Sequence, residues 1–222
     1  MKEYTQLATS IKDRPVAVFG LARSGLSAIR ALKRAEINVF AWDDDESRRK
    51  SAQDEGALIG ELTRENLKDC AFLLLSPGVP LDHDVVKSAR AAEIEIICDI
   101  ELFHRLRHGR KTIGITGTNG KSTTAALIHH ILKSAGRDAK LGGNIGVPVF
   151  DLDMPDETGI FVFELSSYQL DLCPTYRPDI AVLLNITPDH LDRHGTLKNY
   201  IAAKARIFDV KGINDTVAII GV

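Results

Sequence analysis

Short apolar runs alternate with helix-length segments from one end of the chain to the other. The runs PVAVFG, NVFAW, AFLLLS, EIIC, TIGITG, IFVFEL, IAVLLN and TVAII are strand-sized and mostly continuous in apolar residues, as strands covered on both faces are. Between them, residues 24–35, 46–55, 82–92, 121–135 and 196–209 have helical length. Strands punctuated by helices in this way predict stacked βαβ units and parallel sheets, an α/β fold class. The basic, polar stretch HRLRHGRK at 104–111 reads as a bridge between two such sets. A small Rossmann-like domain is therefore expected over 1–106 and a second α/β domain over 107–222. The last run, AIIGV, is strand-like with nothing to cover it, so more chain is expected to follow.

Composition narrows the class. The 222 residues carry 28 basic and 30 acidic side chains, a formal net charge of -2, which is not the surface of a nucleic-acid binder. The N-terminus lacks an apolar stretch of signal-peptide length and the longest apolar runs are strand-sized, so no export and no membrane insertion are expected. Cys70, Cys98 and Cys173 are widely spaced and odd in number, with no C-x-x-C. That argues for core thiols in a reducing cytoplasm rather than a disulfide framework or a zinc site.

Three segments that follow strands in the first half are candidates for one ligand. After VAVF comes Gly20-Leu21-Ala22-Arg23-Ser24-Gly25 and then a helix, the context of a dinucleotide turn. Ala22 stands where the fingerprint wants its second glycine, which weakens an NAD reading because a methyl group blocks close approach of a pyrophosphate. Asp43, Asp44 and Asp45 follow the second strand, where ribose or base recognition would sit, and Ser76-Pro77-Gly78 follows AFLLL. In an open parallel sheet ligands lie beyond the carboxyl ends of the strands, so these segments should meet along one edge. A tight turn with solvated aspartates is the plain alternative.

The second half opens with a sharper signal. Gly117-Thr118-Asn119-Gly120-Lys121-Ser122-Thr123 lies between the strand TIGITG and the amphipathic segment KSTTAALIHHILKSAG, whose residues 127, 128, 131 and 132 form an apolar face. Free N–H groups and the positive helix end attract anions at such a turn, Lys121 would reach the outer phosphates, and the Ser122 or Thr123 hydroxyl could ligate Mg²⁺. The usual phosphate loop has a glycine where Ile115 stands, but neither job depends on it.

Three residues downstream could complete an ATP–Mg²⁺ site. Glu164 ends the apolar strand IFVFEL, where a carboxylate is costly unless it serves a purpose. His190 lies in the loop ITPDH, and a lone loop histidine is usually just solvated. Lys204 interrupts the stripe Leu197, Tyr200, Ile201, Ile207, Phe208 on the buried side of its helix. A bare ammonium there calls for an anionic partner or a chemical modification, unless it snorkels along the core edge.

Together TGTNGKST (116–123), GGNIG (142–146), FELSSYQL (163–170), NITPDHLDRH (185–194) and the helix bearing Lys204 resemble the ATP-dependent Mur ligases of peptidoglycan synthesis, over essentially the whole chain. Ser76-Pro77-Gly78 combined with ELSSYQL resembles the D-glutamate-adding branch of that family. The resemblance implies a P-loop ATPase-type central domain, cut short here, and a missing C-terminal amino-acid-binding domain. It implies UDP-N-acetylmuramoyl-L-alanine, D-glutamate and ATP as partners, a cytoplasmic monomer, and an acyl-phosphate route to an amide. By resemblance, Gly117 to Thr123 bind ATP; Lys121, His190 and Lys204 serve catalysis; and Ser122, Glu164, His190 and a carbamylated Lys204 hold Mg²⁺. Asn144, Ser166, Arg23, Ser24, Asp43, Asp44, Ser76 and Gly78 would contact the UDP-muramoyl substrate. This portion alone is expected to bind ligand without completing the ligation. The rivals are a sister ligase of the folylpolyglutamate type, a nucleotide-binding module without catalysis, and an NAD(P) oxidoreductase, which would leave the second turn unexplained.

Overall fold

The computed structural model describes residues 2–106, 109–208 and 216–221 and divides into two compact units, Met1–Leu106 and Arg107–Val222. The boundary residues 107 and 108, and residue 209 at the end of the last expected helix, lie outside the described residues.

The first unit runs α1 (Lys2–Ile11), β1 (Val16–Phe19), α2 (Arg23–Arg34), β2 (Val39–Trp42), α3 (Glu46–Asp54), β3 (Leu58–Ile59), α4 (Arg64–Lys68), β4 (Phe72–Leu75), α5 (Asp84–Ala91), β5 (Glu95–Ile97) and α6 (Asp99–Arg105). Its five strands are parallel in the order β3-β2-β1-β4-β5. Strands β1 and β4 are buried at every position, which is why their sequences show no polar alternation. Each fully buried Val, Leu, Ile or Phe of that pair contributes about 1.5–3 kcal/mol over its exposed state. The chain crosses from one side of β1 to the other between β2–β3 and β4, so the turns after β1 and β4 are neighbours at the switch point.

The second unit runs β6 (Lys111–Thr116), α7 (Lys121–Ser134), β7 (Ala139–Gly143), a 3-10 turn (Val149–Asp151), β8 (Ile160–Glu164), α8 (Ser167–Asp171), β9 (Ile180–Leu183), α9 (Leu191–His194), α10 (Leu197–Ala205), a second 3-10 turn (Arg206–Phe208) and β10 (Val217–Ile220). Its strands are also all parallel, ordered β10-β9-β6-β8-β7. Ile113, Ile115, Ala125, Val162 and Val182 form its core under α7, with Ile128 and Leu132 packed against them.

Several expectations shift. The apolar face read on α7 is narrower than supposed: Ile128 and Leu132 pack inward, but Leu127 and Ile131 are each 55% exposed. A helix over a parallel sheet touches it along a seam of i, i+3 and i+7 positions, here 125, 128 and 132. On α10 the buried side is likewise Tyr200, Ala203 and Lys204, followed by Ile207, whereas Leu197 and Ile201 are exposed. Strands β3 and β7 and helices α1, α4, α6, α8 and α9 have no counterpart in the sequence pattern, most of them being short, polar or glycine-rich. All three cysteines are buried free thiols. Among the described residues, no helix is long and apolar enough to cross a membrane.

Candidate active site

The turn between β6 and α7 is built by its neighbours on both sides of the central strand. From the end of β9, the Asn185 carbonyl accepts from Thr118 N (3.0 Å), its Oδ1 accepts from Asn119 N (3.0 Å) and its Nδ2 donates to the Asn119 carbonyl (3.1 Å). Gly120 caps the helix with a left-handed φ of 81°, and the first bond inside the helix runs from Thr124 N to the Gly120 carbonyl. The first-turn N–H groups of α7, at Lys121, Ser122 and Thr123, therefore have no partner within the helix and face the mouth of the turn with its positive dipole end. Lys121 Nζ folds back onto the carbonyls of Gly117 (3.0 Å) and Thr118 (2.7 Å), weak partners that an anionic phosphate would outcompete.

From the end of β8, Glu164 enters the same site. Its carboxylate is buried, 1% exposed, and accepts from Ser122 Oγ at 2.7 Å and Asn144 Nδ2 at 2.9 Å. Both of these partners are neutral, no ion pair to Glu164 is found among the described residues, and the adjoining oxygen donors are those a hard divalent cation takes. This donor set fits Mg²⁺. Among the described residues no three His, Cys, Asp or Glu side chains converge, so any such ion would rely on hydroxyl and phosphate oxygens as well.

Lys204 comes from α10 to the back of the turn. It is 1% exposed, donates to the Gly117 carbonyl (2.7 Å) and Thr116 Oγ1 (3.4 Å), and lies 4.8 Å over the Tyr200 ring. No carboxylate pairs with it among the described residues. Burial, followed by the nearby Lys121 charge, lowers its pKa to about 8. Tyr200 also meets Thr118 Oγ1 at 3.0 Å, so one aromatic ring links the lysine and the turn. His190 stands at the start of α9 with a left-handed φ of 50°, a strained conformation for a non-glycine residue. Its Nδ1 meets Tyr168 Oη at 3.2 Å, and its side chain is 48% exposed. Ser166 caps α8, its hydroxyl exchanging bonds with Gln169 (both 3.2 Å).

The structure thus joins Ser122, Glu164 and Asn144 directly, and joins Lys121 and Lys204 through Gly117; no direct bond joins His190 or Ser166 to either group among the described residues. Sequence reasoning passed over Asn185 and Tyr200. Asn185 lies within the motif NITPDH, and Tyr200 within an apolar stripe, where neither stands out by residue type.

In the first unit, the turn after β1 has its own staple. Asp43 is 6% exposed and its carboxylate accepts from Leu21 N (2.6 Å) and Asp45 N (2.9 Å), with the Arg48 guanidinium 3.6 Å away. Asp45 caps α3, and the Ser47 bonds that it accepts lower its pKa. That leaves Asp44 as the member of the trio with an outward carboxylate, 73% exposed. Ser76 Oγ donates to the Gly20 carbonyl (2.6 Å) and lies 3.4 Å from Ser24 Oγ, which brings the turns after β1 and β4 together. Arg23 and Gly78 are exposed at the rim of these turns.

Residues 14–98 match the family described as Mur ligase MurD-like, N-terminal domain, and residues 115–222 match the Mur ligase middle domain. Over 221 residues, 95% of this chain, it is 52% identical to the UDP-N-acetylmuramoylalanine--D-glutamate ligase of Caulobacter vibrioides, and over 222 residues, 96%, it is 46% identical to that of Brucella abortus. The chain spans about half the length of these relatives, 47% in each case. The crystal structure of UDP-N-acetylmuramate-alanine ligase MurC from Thermotoga maritima superposes with a TM-score of 0.54 at 22% identity, over 93% of this chain and 48% of that one, a likeness of fold.

Proposed function

We propose, for a chain that belongs to the Mur ligase family and carries its N-terminal and middle domains, that it is the uridine-nucleotide-binding and ATP-binding portion of a ligase joining D-glutamate to UDP-N-acetylmuramoyl-L-alanine. In this reading the protein is a cytoplasmic monomer. The observation that carries it is the buried Glu164 carboxylate, held by Ser122 at 2.7 Å and Asn144 at 2.9 Å beside Lys121 at a helix N-terminus. Such a constellation suits a nucleoside triphosphate with its metal and serves no evident structural need.

The reaction transfers the γ-phosphoryl group of ATP to the alanyl carboxylate, releasing ADP; the amine of D-glutamate then displaces phosphate and loses a proton, leaving an amide. Lys121 and the N–H groups opening α7 balance the charge on the phosphates and hold them in line, which is most of what phosphoryl transfer asks of a protein. Gly117 to Thr123 shape that cradle. Ser122 and Glu164, with His190 and a modified Lys204, would hold Mg²⁺, which would supply charge neutralisation where the phosphoryl group moves. With its pKa lowered to about 8, Lys204 keeps an appreciable neutral fraction near neutral pH. That amine can add to CO₂, releasing a proton and leaving a carbamate anion. Asn144 and Ser166 would contact the muramoyl end of the substrate, and Arg23, Ser24, Asp44, Ser76 and Gly78 the uridine diphosphate end. In this reading Asp43 acts through the turn that it staples.

Titration calorimetry with UDP-N-acetylmuramoyl-L-alanine and with ATP–Mg²⁺, using NADH and a pteroate as controls, tests the reading. Selective binding of the uridine ligand is expected, with Lys121→Ala weakening ATP about 100-fold by removing a charge-assisted phosphate contact. Preference for NADH or the pteroate would overturn it.

A further inference from the structure

His83 lies outside every role described so far, yet it is fixed on three sides. It caps α5, its Nδ1 accepting from Val85 N at 3.2 Å. A backbone N–H can only donate, so Nδ1 carries a lone pair and the ring proton sits on Nε2. That Nε2 donates to Asp44 Oδ2 at 3.1 Å. The ring packs against Phe19, the last residue of β1, with centroids 4.6 Å apart. The Asp44 backbone is held as well: Arg49 Nη1 donates to the carbonyls of Asp43 (2.7 Å) and Asp44 (3.0 Å), and its guanidinium lies 4.4 Å over Trp42.

A carboxylate as exposed as that of Asp44 is normally free to rotate, and ordering it costs entropy. Here the side chain is ordered by a neutral imidazole that takes only one of its two oxygens. Asp43 and Asp45 on either side spend their carboxylates on bonds within the chain, Asp43 buried and Asp45 at the surface. Asp44 is thus a preorganised acceptor at the carboxyl edge of the sheet, where a nucleoside would lie.

We propose that His83 is a positioning residue that holds Asp44 to accept a hydrogen bond from a donor group of the bound nucleoside, either the base N–H or a ribose hydroxyl; this rests on the uridine reading of the first unit. His83, at the end of the loop after β4, then sets affinity without itself touching the ligand.

The 222-residue chain is titrated with UDP, 2′,3′-dideoxy-UDP and N3-methyl-UDP, as native protein and as His83→Asn, Asp44→Ala and the double variant. Asparagine is itself a good helix cap for Val85 N but is too short to reach Asp44, so His83→Asn removes the contact while keeping the melting temperature. One neutral hydrogen bond's worth of positioning is about 3- to 10-fold in UDP affinity. The expected result is a loss of that size in His83→Asn and no further loss when it is added to Asp44→Ala, because the histidine acts through the aspartate. The analogue whose affinity His83→Asn leaves unchanged identifies the donor. Native UDP affinity in His83→Asn, losses that multiply in the double variant, or equal losses for all three ligands would overturn the proposal. Failure of the native chain to bind UDP would instead sink the uridine reading, and this proposal with it.

Discussion

The two glycine turns hold the same position in their sheets, after the central strand and before the helix that covers it, but they are stapled by opposite chemistry. In each case the staple comes from the end of the neighbouring strand. After β1 it is the Asp43 carboxylate, which takes the Leu21 N–H at 2.6 Å. After β6 it is the Asn185 amide, which takes the Asn119 N–H at 3.0 Å while its own carbonyl takes Thr118 N. A carboxylate at the first turn cancels part of the positive field of the helix end, whereas a neutral amide at the second leaves that field, reinforced by Lys121, open to an anion. In the proposed reading, one topology serves a nucleoside in one unit and phosphates in the other, and the side chain borrowed from the neighbouring strand contributes to the difference.

The comparison breaks most sharply at the glycines. A Cβ at Gly25 would run into the Gly20 carbonyl, so the first turn needs glycine for space. Gly120 needs it for its φ of 81°, with only Leu184 Cδ1 near, at 3.6 Å. Gly25→Ala is expected to cost about 3 kcal/mol or more and Gly120→Ala only about 1–2, read from denaturant unfolding. Equal costs would show that the two turns are built for the same reason.

A smaller effect separates the units by pH, because the lysine at the back of the second turn has no equivalent in the first. Lys204 has a pKa near 8 when folded against the usual 10.5. Between those values the unfolded chain binds more protons than the folded one, so stability rises with pH across that window. In CO₂-free buffer with chelator, Lys204→Met should be more stable than the native chain at pH 7.5, and that margin should shrink by roughly 2–3 kcal/mol towards pH 10.5. A constant margin would mean that burial does not strain the ammonium. The mildest test moves the acidic staple across: Asn185→Asp should lower ATP–Mg²⁺ affinity about tenfold by calorimetry, by placing a negative charge beside the phosphates. Unchanged affinity would mean that the staple does not tune the site.

Much of this was legible beforehand. The continuous apolar runs gave the main strands of both sheets, because strands covered on both faces need no polar positions. The burial of Lys204 followed from its place on a helix, although the true buried side, Tyr200, Ala203, Lys204 and Ile207, is not the stripe first read. Strand β7 and the short helices α8 and α9 escaped because neither propensity nor periodicity marks four or five polar or glycine-rich residues. The division of labour in the acidic trio was also invisible, since three consecutive aspartates look alike until the chain turns one of them inward.

By itself the sequence determined what is local: two sets of βαβ units, glycine turns at strand ends, and a lysine and hydroxyls at the head of a helix, all consequences of spacing within a few residues. Only the tertiary structure decided which distant groups meet. Glu164 reaches Ser122 across 42 residues and Lys204 reaches Gly117 across 87. Those meetings depend on β8 and β9 flanking β6, an order set by how whole strands and helices pack together rather than by any short stretch of residues.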